Sequence, residues 1–233
     1  MNKTGISWTD ITWNPVTGCS KVSPGCQNCY AETWSRRFGR SFDVQIHPER
    51  LGQVSKLPAG AKVFVNSMSD LFHEYVSFEF VKETMGLIAS RPDVTFQVLT
   101  KRAERMVAYE TWIGEPFPQN LWLGVSVELP LYLKRIDSLV STSARTKFVS
   151  FEPLLGELGD LNLTGINLVI IGGESGPRHR PMRLEWARSI VRQAKEQGVA
   201  VWMKQLGGAR PGGDLNDFPK DLRIREFPMV VQE

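Results

Sequence analysis

Residues 18–31 read GCSKVSPGCQNCYA and place all three cysteines of a 233-residue chain, Cys19, Cys26 and Cys29, within eleven positions. Thiols gathered so tightly pair as disulfides, bind a metal or sit inert in a core. An odd number of them, in a chain whose start MNKTGISWTD shows no secretion signal, argues against a disulfide framework. Three readings stay open on these residues. A structural zinc site takes four Cys or His ligands, and His47 or His73 would supply the fourth. Unreactive buried cysteines need no partner, although Gly18, Pro24 and Gly25 suggest a loop shaped around something. The third is an iron-sulfur cluster on three thiolates with one iron left open, because thiolates are the usual cluster ligands and an open position marks a catalytic metal.

A loop of this kind needs a frame to hold it. Short apolar runs recur along the chain, and each ends in polar residues. VFV at 63–65 leads into NSMSD, FQVL at 96–99 into TKR, and LWLGV at 121–125 into Ser126 and Glu128. KFV at 147–149 leads into Ser150 and Glu152, LVII at 168–171 into GGES, and VAVWM at 199–203 into Lys204 and Gln205. Between them, 78–90 and 184–197 carry apolar residues at helical spacing. This alternation predicts an α/β fold with a parallel sheet, a partial (βα) barrel whose active site is built from the loops at the strands' carboxyl ends. A first strand at 11–13 would bring the cysteine loop to the same rim.

In order along the chain, GCSKVSPGCQNCYAE, VNSMSDLFHEYV, VLTKR, LGVSVE, FVSFEPLLG, IIGGESG and WMKQLG resemble the phage Gp37/Gp68 family, and through it the radical S-adenosylmethionine (SAM) superfamily. The cysteine spacing departs from the commonest superfamily pattern, with six residues between Cys19 and Cys26 and two between Cys26 and Cys29. The resemblance implies a radical SAM partial barrel of about six to seven parallel strands over residues 1–208. It also implies a 4Fe-4S cluster on Cys19, Cys26 and Cys29, with SAM chelated to the open iron and reductively cleaved. Ser67, Ser69 and Asp70 are expected to grip the SAM ammonium group, though Asp70 also suits a turn cap. Ser126 and Ser150 are expected at the ribose, and Gly172, Gly173 and Glu174 against SAM or substrate, unless GGES is only a tight turn. Glu128, Glu152 and Lys101 are the expected catalytic groups: two carboxylates for proton exchange and a cation for an anionic substrate. The alternative for these carboxylates is a salt bridge to Lys101, Arg102 or Lys204.

The implied reaction is rearrangement of a modified base in phage DNA, for example an isomerase acting on glycine-modified thymine. A photoproduct-repair type of lyase and a zinc-stabilised nucleic-acid-binding module are the alternatives. The partners expected are DNA carrying a modified base and an external electron donor such as flavodoxin or ferredoxin. Arg178, Arg180 and Arg183 are candidates for phosphate contacts. Trp8, Trp13 and Trp34 are expected to cover the cluster, and Trp122, Trp186 and Trp202 to be core. Residues 209–233, with the turn chemistry PGGD at 211–214, are expected to form an appendage packed against the barrel. With 42% hydrophobic and 23% charged residues and a net charge of +3, the composition is that of a soluble domain, expected in the cytoplasm of a cell or phage host, with no membrane partner.

Overall fold

In the computed structural model, which describes residues 2–210 and 212–228, the apolar runs become strands buried on both faces, as a parallel sheet under helices requires. The strands are β1 (Asn2–Lys3), β2 (Ile11–Trp13), β3 (Val16–Thr17), β4 (Gln45–Ile46), β5 (Lys62–Val65), β6 (Thr95–Thr100), β7 (Leu121–Ser126), β8 (Thr146–Phe151), β9 (Leu168–Gly172) and β10 (Ala200–Gln205). The main sheet runs β1-β2-β5-β6-β7-β8-β9-β10. Its seven strands from β2 to β10 are parallel and β1 pairs antiparallel with β2, giving a curled half-barrel with two free edges. β3 and β4 make a small antiparallel ribbon beside the cysteine loop.

The helices are α1 (Tyr30–Arg37), α2 (Phe78–Ala89), α3 (Ala103–Ile113), α4 (Lys134–Val140) and α5 (Leu184–Glu196). α4 packs on β7 and β8, and α5 on β9 and β10, burying Ala187, Ile190, Val191 and Ala194. The core between sheet and helices is one continuous cluster of aliphatic and aromatic side chains running from Trp13 to Leu222. A second cluster fills the concave side with Trp8, Phe64, Trp122, Phe148, Leu168, Ile170 and Trp202. Gly124 in β7 admits the Phe148 ring, whose Cζ would lie 2.5 Å from a Cβ at that position.

The two chain ends finish the barrel. Residues 4–8 reach across to the far edge, where Ser7 Oγ accepts from the indole of Trp202 at 3.1 Å. Near the other end, Arg225 bridges Trp202 antiparallel, and Phe227 stacks on Trp202 at 4.5 Å beneath Lys62. Pro211 of the predicted turn and residues 229–233 of the predicted appendage lie outside the described residues. Among the described residues no helix is long and apolar enough to cross a membrane.

Candidate active site

The cysteine loop leaves β3 at Gly18, whose φ of 81° and close approach to the Asp43 carbonyl both exclude a side chain. Gly18 N donates to Met68 O and Cys19 N to Phe42 O, each at 3.0 Å, so the first thiol hangs beside the end of β5. A short 3-10 turn at Pro24–Cys26 carries the second thiol, and Cys29 caps α1 with the third. All three are free thiols, partly exposed, and line one cavity of about 530 Å³ at the carboxyl ends of the strands. The same cavity is lined by Trp8, Phe64, Asn66, Lys101, Glu152 and Lys204.

Four strand ends hold the loop. After β6, Arg102 donates to Cys19 Sγ at 3.5 Å, to Asp70 at 3.1 Å, to Glu74 at 3.0 Å and twice to Ser20. After β5, the Ser67 carbonyl accepts from the Tyr30 hydroxyl. After β7, Glu128 accepts from Ser23 Oγ and pairs with Arg135 at 3.0 Å. After β9, Glu174 accepts from Asn28 at 2.9 Å and pairs with Arg180 at 2.6 Å, while Arg180 also reaches Pro24 O at 2.9 Å.

Burial pushes the Cys19 thiol up to about 11, Asp70 adds to this, and the Arg102 guanidinium opposes it. Burial also raises Cys29, against the amides of Glu32 and Ala31. Any metal bound here must therefore displace thiol protons. Among the described residues no three His, Cys, Asp or Glu side chains are grouped as they stand to hold a metal ion, but a loop that supplies three thiols and no imidazole to one cavity has the donor chemistry of an iron-sulfur group and not of a four-ligand zinc ion. His73 is committed elsewhere: its Nδ1 accepts from Tyr75 N at 3.1 Å, so Nε2 donates to Ser20 Oγ at 2.8 Å. Burial and Arg102 lower its pKa, which keeps the ring neutral. His47 bonds Thr17 at 2.7 Å and Glu49.

Residues 3–223 match the family described as "Protein of unknown function (DUF5131)". The chain belongs to the DUF5131 family. No curated protein matches the sequence. Among solved structures, spore photoproduct lyase complexed with dinucleoside spore photoproduct is similar at TM-score 0.53 and 10% identity, over 84% of this chain and 63% of that one. A double mutant of the same lyase with bound AdoMet and dinucleoside spore photoproduct is similar at TM-score 0.52 and 11% identity, with the same coverage. The DUF5131 chain spans 63% of the length of those structures, and the likeness establishes the shared half-barrel fold.

Within the DUF5131 chain, the expected Ser67, Ser69, Asp70, Gly173 and Glu174 line the same cavity as the thiols, and protein groups already engage most of them. Asp70 is 5% exposed and accepts four hydrogen bonds, from Thr100 Oγ1, Phe72 N, Lys101 N and Arg102, so an ammonium group would have to share or displace one of these donors. Ser69 Oγ donates to Val16 O at 2.8 Å and Ser67 Oγ to Asn14 Oδ1 at 3.2 Å. Glu128 is fully buried under the cysteine loop and is not among the cavity-lining residues, so its geometry is that of a support and not a proton donor. Glu174 is spent on Arg180 and Asn28, and Arg180, expected at phosphate, is spent on Glu174 and the loop. Gly172 leaves room for the Glu152 carboxylate, and Gly173 lets Leu206 O approach, within 2.5 Å of where a Cβ would stand.

The remaining expected groups meet in the cavity too. Ser126, Ser150, Glu152, Lys101 and Lys204 line it together. Glu152 Oε2 accepts from Lys204 at 3.0 Å and from Ser150 at 3.2 Å, while its Oε1 is buried with no partner. Of the three tryptophans expected to shield the thiols only Trp8 lines the cavity. Trp13 is buried in the outer core and donates to Arg50 O, and Trp34 is 46% exposed on α1. Trp122 and Trp202 are core as expected, and Trp186 packs at the edge of the outer core. Sequence reasoning missed Asn28, Tyr30 and Asn66; the last has φ 61° and a buried Nδ2 without a partner. An Asn directly after a strand, at a position that needs left-handed backbone, was the available signal.

Proposed function

We propose that this protein is a radical SAM enzyme in which Cys19, Cys26 and Cys29 hold a 4Fe-4S cluster and the cavity beside them receives SAM and substrate. The observation that carries the reading is three free thiols from one loop lining a single cavity at the carboxyl ends of a half-barrel. Bound there, the cluster and SAM would supply a hydrogen-abstracting radical. The chain's own residues bind and orient. Ser126 and Ser150 offer hydroxyls at the cavity wall for a ribose, Lys101 and Lys204 offer cations for an anionic group, and Glu152, held by Lys204 and Ser150, can keep or move a proton. Trp8 and Phe64 give the cavity an apolar floor.

The substrate class we infer is a nucleobase in DNA. Its support is the fold shared with a lyase solved with a dinucleoside photoproduct, and the motif resemblance to phage Gp37/Gp68 proteins. Isomerisation of a glycine-modified thymine is the finer reading, and repair-type lysis of a base adduct is the second, favoured by the named ligand of those structures. Arg178 and Arg183 are the exposed cations beside the GGES strand end that remain for phosphate contacts.

Anaerobic reconstitution with iron and sulfide tests the cofactor. A brown protein with about four irons per chain is expected, and stoichiometric zinc without iron would overturn the reading. Cys→Ala at any one of the three positions is expected to lose the iron while circular dichroism stays that of the parent.

A further inference from the structure

We propose that Arg102 is a positioning residue for this metal group: it holds the Cys19 sulfur in place and, by donating a hydrogen bond to it, raises the reduction potential of a cluster bound at the three thiols. The inference rests on the cluster reading above and goes beyond it by making the three thiols inequivalent. A guanidinium has five N–H donors in a fixed fork. Here all five are used: Nε on Glu74, Nη1 on Asp70 and Cys19 Sγ, and Nη2 on the carbonyl and hydroxyl of Ser20. The side chain is 8% exposed, and its backbone N–H donates to Thr100 Oγ1 at 2.9 Å, so the fork is fixed from both ends. Asp70 orients it from inside and Glu74 from outside.

The other two sulfurs have weaker company. Cys26 Sγ meets Ser23 Oγ at 3.8 Å, and Cys29, at the amino end of α1, has the uncharged backbone amides of Ala31 and Glu32. Cys19 thus receives the charge-assisted N–H donor of the set. Hydrogen bonds to a ligating sulfur stabilise the more negative state of the centre, which is the reduced one, and so raise the potential. Reduction of a cluster held there would add one electron, supplied by dithionite in the test below.

The test compares the reconstituted parent with Arg102→Lys, Arg102→Gln and Glu74→Gln, reading iron content, circular dichroism and the midpoint potential from a dithionite titration followed by electron paramagnetic resonance. Arg102→Gln and Arg102→Lys are expected to keep the fold and to take up iron, with the midpoint displaced to more negative values. Glu74→Gln, which loosens the outer anchor but leaves the Arg102 donor on Cys19, is expected to move the midpoint less than Arg102→Gln does. A folded, iron-loaded Arg102→Gln protein with the parental midpoint overturns the proposal. Should Arg102→Gln fail to fold, Arg102→Lys decides on the same criterion, because an ammonium group cannot reproduce the five-donor fork. A parent that takes up no cluster overturns the cofactor reading, and this proposal with it, which separates the two failures.

Discussion

Two buried carboxylates at the cavity wall are already engaged by protein donors: Asp70 accepts two hydrogen bonds on each oxygen, and Glu174 accepts three on Oε2 and one on Oε1. Burial pushes the Glu174 carboxyl up, but hydrogen bonds from Arg180 and Asn28 outweigh it and hold the group below the ordinary glutamate value of 4.5. A depressed folded-state pKa gives stability that is present above the unfolded value and lost as pH falls through the folded one. Glu174→Gln is therefore expected to cost about 1–3 kcal/mol at neutral pH, as the loss of a charged hydrogen-bond partner does. It should also flatten the fall in urea midpoint as pH drops below the ordinary glutamate value; an unchanged acid limb would show that the clamp adds nothing. Sequence placed these carboxylates at the rim correctly and said nothing of their partners. Arg180 lies six residues beyond Glu174 and Asn28 far before it, and no local pattern encodes that meeting.

Among the elements, β7 and β8 show why the frame was legible and its filling was not. Short apolar stretches, LWLGV in β7 and Phe148-Val149 in β8, each running into polar residues, were enough to identify them. That Gly124 exists to admit the Phe148 ring depends on the register pairing Gly124 with Phe148, which only the assembled sheet supplies. Gly124→Ala is expected to destabilise the protein by about 1–3 kcal/mol through overpacking, and Phe148→Leu in the same chain should recover part of the loss. A double-mutant cycle in urea reads the coupling; additive effects would mean the two do not share one space. The β3–β4 ribbon and α1 escaped sequence reading because two-residue strands carry no period, and exposed apolar side chains, Trp34 in α1 and Phe38 at its C-cap, mask its buried face.

At the scale of the molecule, the half-barrel leaves two edges that a closed ring would not have, and the chain ends are spent there. Phe227, 38% exposed, bridges Trp202 and Trp122 beneath the concave cluster, away from the thiols. Phe227→Ala is expected to cost about 1–2 kcal/mol and to leave iron uptake at the parental level; a loss of iron would tie the tail to the site. The tail's composition predicted an appendage, but its pairing with β10 needs the edge strand, which no turn signal reveals. The cysteine loop, anchored after β5, β6, β7 and β9, works on this open frame as a brace works on a gate. An open curve can flex by splaying its strand ends, and a brace resists only as far as it is itself stiff. Filling the thiols would stiffen it, so amide hydrogens at the carboxyl ends of β6, β7 and β9 should exchange more slowly in the loaded protein than in the empty one, although none of them touches the metal.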